Sequence, residues 1–511
     1  MNESNDAAGR QIATDLIAGS TTSPIGQIAR GSAWLVAARW GVRGIGLVST
    51  IILARLLEPI DFGVIAMAMT AMGLISVLSQ AGQNLAVIRH PDPKEEHFDT
   101  AWTMSICTGL IVAVLLFAIA PLAGWYYHEP RVVAVIRFLA LAPLIEGFTN
   151  VGVTVGFQRS FQFRRDSAFI LLRKFLLLAL TIPLAVVLQS YWALAAGIVG
   201  SGVLAVVASY WMHSYRPHLR LTKFLEIWKY SLWILFSAIG EFLGAQIDQI
   251  ILGRLGGPFY LGNYNVAEDL AAAPTNELTL PISRAAFPVY SALLQDPAHL
   301  AQAYLGVLSM TAVMALSTGV GVALVADDIV TLVLGSNWTS ASLLVPWLAI
   351  GAAMFGVGRS VNSLLSVTGN ARLNAMRFWS FAVMLALMAT VGGLVWGAEG
   401  VAAARMIVTI LFLPIMFYTV THAIPVTMTE IIACLWRPAL ASLSMVAAVS
   451  FAGTEAINSP IARLGCNVIL GSIVFLLALL FLWSVAGRPA GAEHALMTHL
   501  SHATRRFATG H

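Results

Sequence analysis

An ionisable side chain at membrane depth is costly, so where an apolar chain keeps one it marks function first. This 511-residue sequence keeps a small set of them in stretches otherwise rich in Leu, Val, Ala and Phe. Glu241 and Asp248 stand seven residues apart, which places both on one helix face, with Gln246 and Gln249 nearby. Counted from Lys229 at 1.5 Å per residue, Glu241 lies ~18 Å along a helix, near the middle of a bilayer, and Asp248 ~10 Å further. Glu268, Asp269 and Glu277 follow in a stretch containing Pro274 and Pro281. Those prolines predict a broken helix, and broken helices at membrane depth line cavities. Carboxylates buried in this way suit proton coupling, and a pair of them suits Na+. Glu146, midway along an earlier apolar stretch, joins Glu241, Asp248, Glu268 and Asp269 as an ion-coupling candidate.

The basic counterparts are Arg39, Arg43 and Arg359. Arg39 and Arg43 are four residues apart and share a helix face, where guanidinium forks could grip pyrophosphate or sugar carboxylates. Two other readings stay open. Arg43 snorkels one way and Arg55 the other, or the embedded acids neutralise Arg39, Arg43 or Arg359 in static pairs. No catalytic residue, metal site or cofactor is expected. There is no phosphate-binding glycine loop followed by Lys, no His cluster at metal spacing and no serine elbow. Cys107, Cys434 and Cys466 have no short spacing and read as small buried hydrophobes. Nothing here drives ATP hydrolysis, and coupling to H+ or Na+ is what the embedded acids would suit.

Such residues need elements that carry them across lipid. Hydrophobic residues make up 58% of the chain and charged ones 11%, against about 25% charged in ordinary soluble proteins. A soluble protein could not cover its surface with so few charges. Apolar runs of bilayer length predict fourteen spans, at 33–54, 62–81, 100–120, 132–153, 168–188, 192–213, 230–253, 261–283, 304–325, 342–365, 375–395, 401–420, 438–454 and 464–486. Runs this long are helices, not the alternating strands of a barrel. The expected fold is an all-α polytopic membrane protein. Its parts are a tail (1–32), an N-lobe (33–213), a linker (214–229), a C-lobe (230–420), two added spans (438–486) and a second tail (487–511). No polar stretch is long enough for a soluble catalytic domain or a DNA-binding module. The net charge of +4 records orientation. With both termini in the cytoplasm, most Lys and Arg fall on the inner side. Arg55, Arg131, Arg137, Arg254, Arg405 and Arg463 fall at outer positions, and Trp125, Tyr126 and Tyr127 in an outer aromatic belt.

Shifting the sequence by 199 residues lays the first span on the seventh, with eleven identities in 37 positions. They include Arg55/Arg254, Pro59/Pro258 and Gly63/Gly262. Six spans separate the copies, so both halves point the same way, as in transporters built from parallel repeats with the substrate path between lobes.

The stretches LARLLEPIDFG (53–63), QRSFQFRRDSAF (158–169) and the long run 248–296 that opens DQIILGRLGGPFYLGNYN resemble the Wzx-type oligosaccharide flippases. These are polysaccharide transporters of the multidrug/oligosaccharidyl-lipid/polysaccharide (MOP) superfamily. The resemblance covers roughly 28–425. It implies two six-helix lobes with two further helices. It also implies alternating-access flipping of undecaprenyl-pyrophosphate-linked repeat units across the bacterial inner membrane, for exopolysaccharide, capsule or O-antigen. Its partners would be the lipid-linked oligosaccharide, membrane lipids and assembly proteins such as a polymerase, and not nucleic acid. The alternatives are a drug/cation antiporter or a peptidoglycan-precursor flippase of the same superfamily. A membrane polymerase or acyltransferase would need a large outer loop, and 121–131 and 326–338 hold only 11 and 13 residues.

Overall fold

The computed structural model describes residues 24–79, 94–160, 162–222, 232–369, 371–454 and 459–489, with Val87 and Ile457 between them. Every element among the described residues is a helix. In chain order they are α1 (Pro24–Leu56), α2 (Pro59–Ser79), α3 (Glu95–Tyr127), the bent α4, α5 (Phe163–Leu188) and α6 (Tyr191–Met212). Then come the run Leu232–Ala292, which supplies α7 and α8, and α9 (Pro297–Leu324) and α10 (Thr339–Val367). The run Ala371–Ala423 supplies α11 and α12, followed by α13 (Met428–Phe451) and α14 (Pro460–Val485). Helices cover the described parts of all fourteen expected stretches, and nine helical segments among the described residues are long and apolar enough to cross a membrane. On α11, Leu387, Val391, Leu394 and Val395 stand more than half exposed, a surface that suits lipid and not water.

The breaks fall elsewhere than the prolines suggested. The chain stays helical through Pro274, Pro281 and Pro288, and the non-helical residue of this run is Gly257, at φ 75° and ψ −173°. Only glycine takes such a backbone without strain. Gly397, at φ 62°, parts α11 from α12 in the same way. Proline is tolerated inside a membrane helix where neighbouring groups re-satisfy the backbone it frees. A second correction concerns α4. Instead of one straight span over 132–153, Pro130–Gly147 and Gly152–Arg159 meet at 63°. Asn150 organises the bend, its Oδ1 accepting from Gly152 N at 2.8 Å. Nor are the outer connections loose. The first is largely the end of α3, with Trp125 exposed and Tyr127 buried. The second folds into Ala326–Val333 and a turn at Ser336–Trp338. There the buried Asp328 accepts from Arg463 Nε of α14 at 2.6 Å.

The described helices gather into two compact units. The first holds α1, α2 from Ala71, α3 as far as Trp125, and α4–α6; the second holds Glu58–Thr70, Tyr126–Glu129 and the chain from Phe236. In the first, α5 packs against α1 and α6; in the second, α10 packs against α9 and the α11–α12 run, and α13 against α9 and α14.

The repeat is visible in the backbone. The turn between α1 and α2 precedes Pro59, and the Gly257 break precedes Pro258, the same position in the second copy. Proline suits this place because the first helical N–H has no partner to lose. Within the second unit the two copies then meet face to face. A Cβ at Gly63 would strike the carbonyl oxygen of Pro258, and one at Gly262 the carbonyl oxygen of Pro59.

In the first unit the segment after α6 is not a free linker over its described part. It runs extended and is tied to α3 and α4. Tyr215 Oη donates to Asp99 at 2.5 Å, His218 N donates to the same carboxylate at 2.9 Å, and Asn150 Nδ2 donates to Tyr215 O at 2.8 Å. Burial, with the Asp99 carboxylate second, holds the Tyr215 phenol above its ordinary range, so it stays a donor. Tyr215→Phe is expected to destabilise this unit by roughly 1–3 kcal/mol, because buried Asp99 loses a partner. A thermal midpoint in detergent equal to that of the wild type would refute this.

Candidate functional site: a buried ion network bordering a polar cavity

Asp248 on α7 is fully buried and accepts hydrogen bonds from Tyr264 Oη at 2.5 Å and from Arg405 Nη1. Arg405, on α12, also reaches Glu268 through Nη2 at 3.0 Å, and Gln249 Nε2 donates to Glu268 at 2.7 Å. Tyr264 and Glu268 are four residues apart on α8, so one helix face presents both to α7 and α12. Two carboxylates share one guanidinium in a low-dielectric setting.

This pairing corrects the sequence reading of Arg405. It is not an outer charge recording orientation; its side chain is 22% exposed and neutralises embedded acids. The partner of Asp248 and Glu268 is therefore neither Arg39, Arg43 nor Arg359. Arg405 sits close to the predicted start of its span, where an interfacial arginine and a buried one look alike in sequence. Tyr264 was missed as well, although its i, i+4 relation to Glu268 was a usable signal.

Glu268 also walls two cavities in this unit, of about 420 and 310 Å³. The larger is lined by Gln246, Gln249, Asn265, Asp269 and Asn276 among others, the smaller by Glu241, Arg359, Asn362, Arg405 and Thr409 beside Phe355, Phe378 and Phe381. Glu241, Glu268, Asp269 and Arg359 thus line two cavities that share Glu268 and Asn276 in their walls. Glu241 and Asp248 share one helix but not one environment: Asp248 is sealed in the ion network while Glu241 is exposed at the cavity wall. Arg359 Nη2 donates to Asn276 Oδ1 at 2.7 Å, and its guanidinium lies 5.4 Å from the Phe355 ring centre.

The remaining candidates belong to the first unit. Glu146 precedes the bend of α4 and pairs with Arg173 of α5 at 2.7 Å, both side chains well exposed. Arg39 and Arg43 are half-buried on α1. Among the described residues, no group of three or more His, Cys, Asp or Glu could hold a metal ion. The cysteines are free, and Cys107 and Cys466 are exposed instead of buried.

Among the described residues, helices in a repeated arrangement, many of them long and apolar enough to cross a membrane, carry a charged network beside two cavities. The solved structure of the lipid II flippase MurJ, in an inward closed conformation, shares this fold with a TM-score of 0.69 at 13% identity, covering 89% of this chain and all of that one. An inward-facing multidrug resistance MATE family transporter of the MOP superfamily matches with a TM-score of 0.57 at 15% identity, over 74% of this chain and 94% of that one. The chain belongs to the polysaccharide biosynthesis protein family, whose model matches residues 52–343. It is 24% identical over 428 residues to the lipopolysaccharide biosynthesis protein WzxC of Escherichia coli K12, covering 81% of this chain and 85% of that protein. It is 22% identical to the succinoglycan biosynthesis transport protein ExoT of Rhizobium meliloti, covering 73% and 74%.

Proposed function

We propose that the chain is a secondary transporter that flips lipid-linked oligosaccharide repeat units across the bacterial inner membrane by alternating access. Both termini would be cytoplasmic, and the product would feed exopolysaccharide, capsule or lipopolysaccharide synthesis. The observation that carries this reading is the polar cavity bordered by Glu268, inside a multi-pass scaffold of the polysaccharide biosynthesis family. A sugar head group needs water-like surroundings at membrane depth, and the amides and charges of the cavity supply them. The undecaprenyl-pyrophosphate carrier and the polymerase partner follow from the resemblance of the sequence. The chain is not an enzyme in this reading, because the cavity residues bind and balance charge without a nucleophile–base pair.

Coupling follows from the charge balance. Asp248, Glu268 and Arg405 leave one negative charge that a proton or Na+ entering the cavity neutralises. Glu268 is the exchanging member, since Asp248 is sealed behind Tyr264 and Arg405 and Glu268 faces the space. In the second unit Arg359 and Glu241 are the residues for the head group; in the first, Arg39 and Arg43 stay the candidates for phosphate that their spacing on one helix face makes them.

The test is a reconstituted one. Purified protein in vesicles is expected to move a fluorescent lipid-linked oligosaccharide to the other leaflet without ATP. Movement no faster than in protein-free vesicles, with a substrate verified by its own glycosyltransferases, would overturn the proposal. Glu268→Gln is expected to slow flipping at least tenfold and to flatten its dependence on a pH or Na+ gradient. A variant that is slow yet keeps the full gradient dependence would remove Glu268 from coupling.

A further inference from the structure

Away from the cavity lining, the second unit holds buried polar atoms that no protein group satisfies. Tyr290 of α8, Tyr304 of α9 and Ser360 of α10 are fully buried, and Arg377 of α11 is 5% exposed. The Tyr290 and Tyr304 hydroxyls, the Ser360 hydroxyl and Arg377 Nη1 each lack a hydrogen-bond partner. These four groups are neighbours. The tyrosine rings are 6.5 Å apart between centres, and Tyr304 lies beside Ser360 and within the field of Arg377.

Arg377 Nη1 can only donate, and each hydroxyl, though able to accept as well, can turn its hydrogen toward an anion. Arg377 spends Nη2 on the side-chain oxygens of Asn362 and Asn374, and its guanidinium lies 5.3 Å from the Phe378 ring centre. Among the described residues no carboxylate forms an ion pair with it; Glu241 is the acid whose field reaches it. A buried guanidinium left to amide oxygens lacks its counter-charge, and buried charges are normally paired. A water molecule would satisfy hydroxyls but would leave the charge.

We propose that Arg377, Tyr290, Tyr304 and Ser360 form a binding site for a small monovalent anion of chloride size. Leu308, Val361, Leu364 and Leu365 of the same core cluster as the two tyrosines are each fully buried, a dry setting that favours a small ion over a phosphate or a sugar acid. The anion ties α8, α9, α10 and α11 together where they converge. The site is independent of the transport reading, because its readout is binding and stability.

The experiment uses the full chain purified in detergent with gluconate as the only anion. Bromide or chloride added at constant ionic strength is expected to raise the thermal midpoint saturably, by roughly 2–4 °C for tight binding. Sulfate should not do so. Bromide is expected to give an anomalous peak within hydrogen-bonding distance of Arg377 Nη1 in crystals of the wild type. Tyr304→Phe, which keeps the core volume, should weaken the halide response about tenfold, and Arg377→Gln should abolish it. An equal response in gluconate, sulfate and bromide, an unchanged response in Arg377→Gln, or a bromide peak elsewhere only would each overturn the site. Should Arg377→Gln fail to fold, Tyr304→Phe and the wild-type crystals decide alone.

Discussion

Arg405→Ala is expected to abolish transport and to lower the unfolding temperature sharply. The arginine is the one cation shared by Asp248, which is fully buried, and Glu268. Its removal leaves two carboxylates without their shared cation, Asp248 out of reach of water and Glu268 only partly exposed at the cavity wall. Breaking a buried ion pair from one side costs about 3–5 kcal/mol, because the remaining charge keeps its desolvation penalty and loses its partner. The origin of the loss can be isolated. Arg405→Gln combined with Asp248→Asn removes one charge of each sign while keeping shape and hydrogen-bonding capacity. The double variant is expected to unfold at a higher temperature than Arg405→Gln alone, with Glu268 again the single excess charge. Equal midpoints for the single and double variants would mean that packing of the long arginine chain, not charge, holds this site together.

A comparable loss should follow from one methyl group at Gly63 or Gly262. In both places the added carbon would overlap a backbone carbonyl, that of Pro258 or of Pro59. Overpacking against side chains costs about 1–3 kcal/mol because rotamers give way. A carbonyl fixed in a helix has no rotamer, so the two helices must move apart. Gly63→Ala and Gly262→Ala are each expected to reduce monodisperse protein in size-exclusion profiles severalfold, and to similar extents. Gly306→Ala is the control, since a Cβ there meets nothing within 4 Å. The idea fails if the Gly63 variant behaves like the Gly306 variant.

Sequence reasoning reached the helices and the repeat because both are written locally, in runs of apolar residues and in the recurring Pro-x-x-x-Gly. It also picked out Asp248 and Glu268, since an acid in such a run is conspicuous. It could not reach Arg405, which lies 157 residues from Asp248 and at a span edge where arginine is common. It misjudged the helix breaks. Proline was given more weight than glycine, yet the chain runs straight through Pro274 and Pro281 and turns at Gly257. Arg377 escaped for the same reason as Arg405. It lies near the start of span eleven, and the packing of α10 against its helix run accompanies its burial.

The crossed contact of Pro59 and Gly63 with Gly262 and Pro258 has a historical implication. Residue i of one copy touches residue j of the other, and j touches i, which is the pattern of an isologous patch in a two-fold dimer. Two separate copies of a six-helix ancestor could have paired through this patch before any gene fusion joined them. A substitution in such a patch strikes both copies at once, a physical reason for the same proline and glycine to stand in both halves.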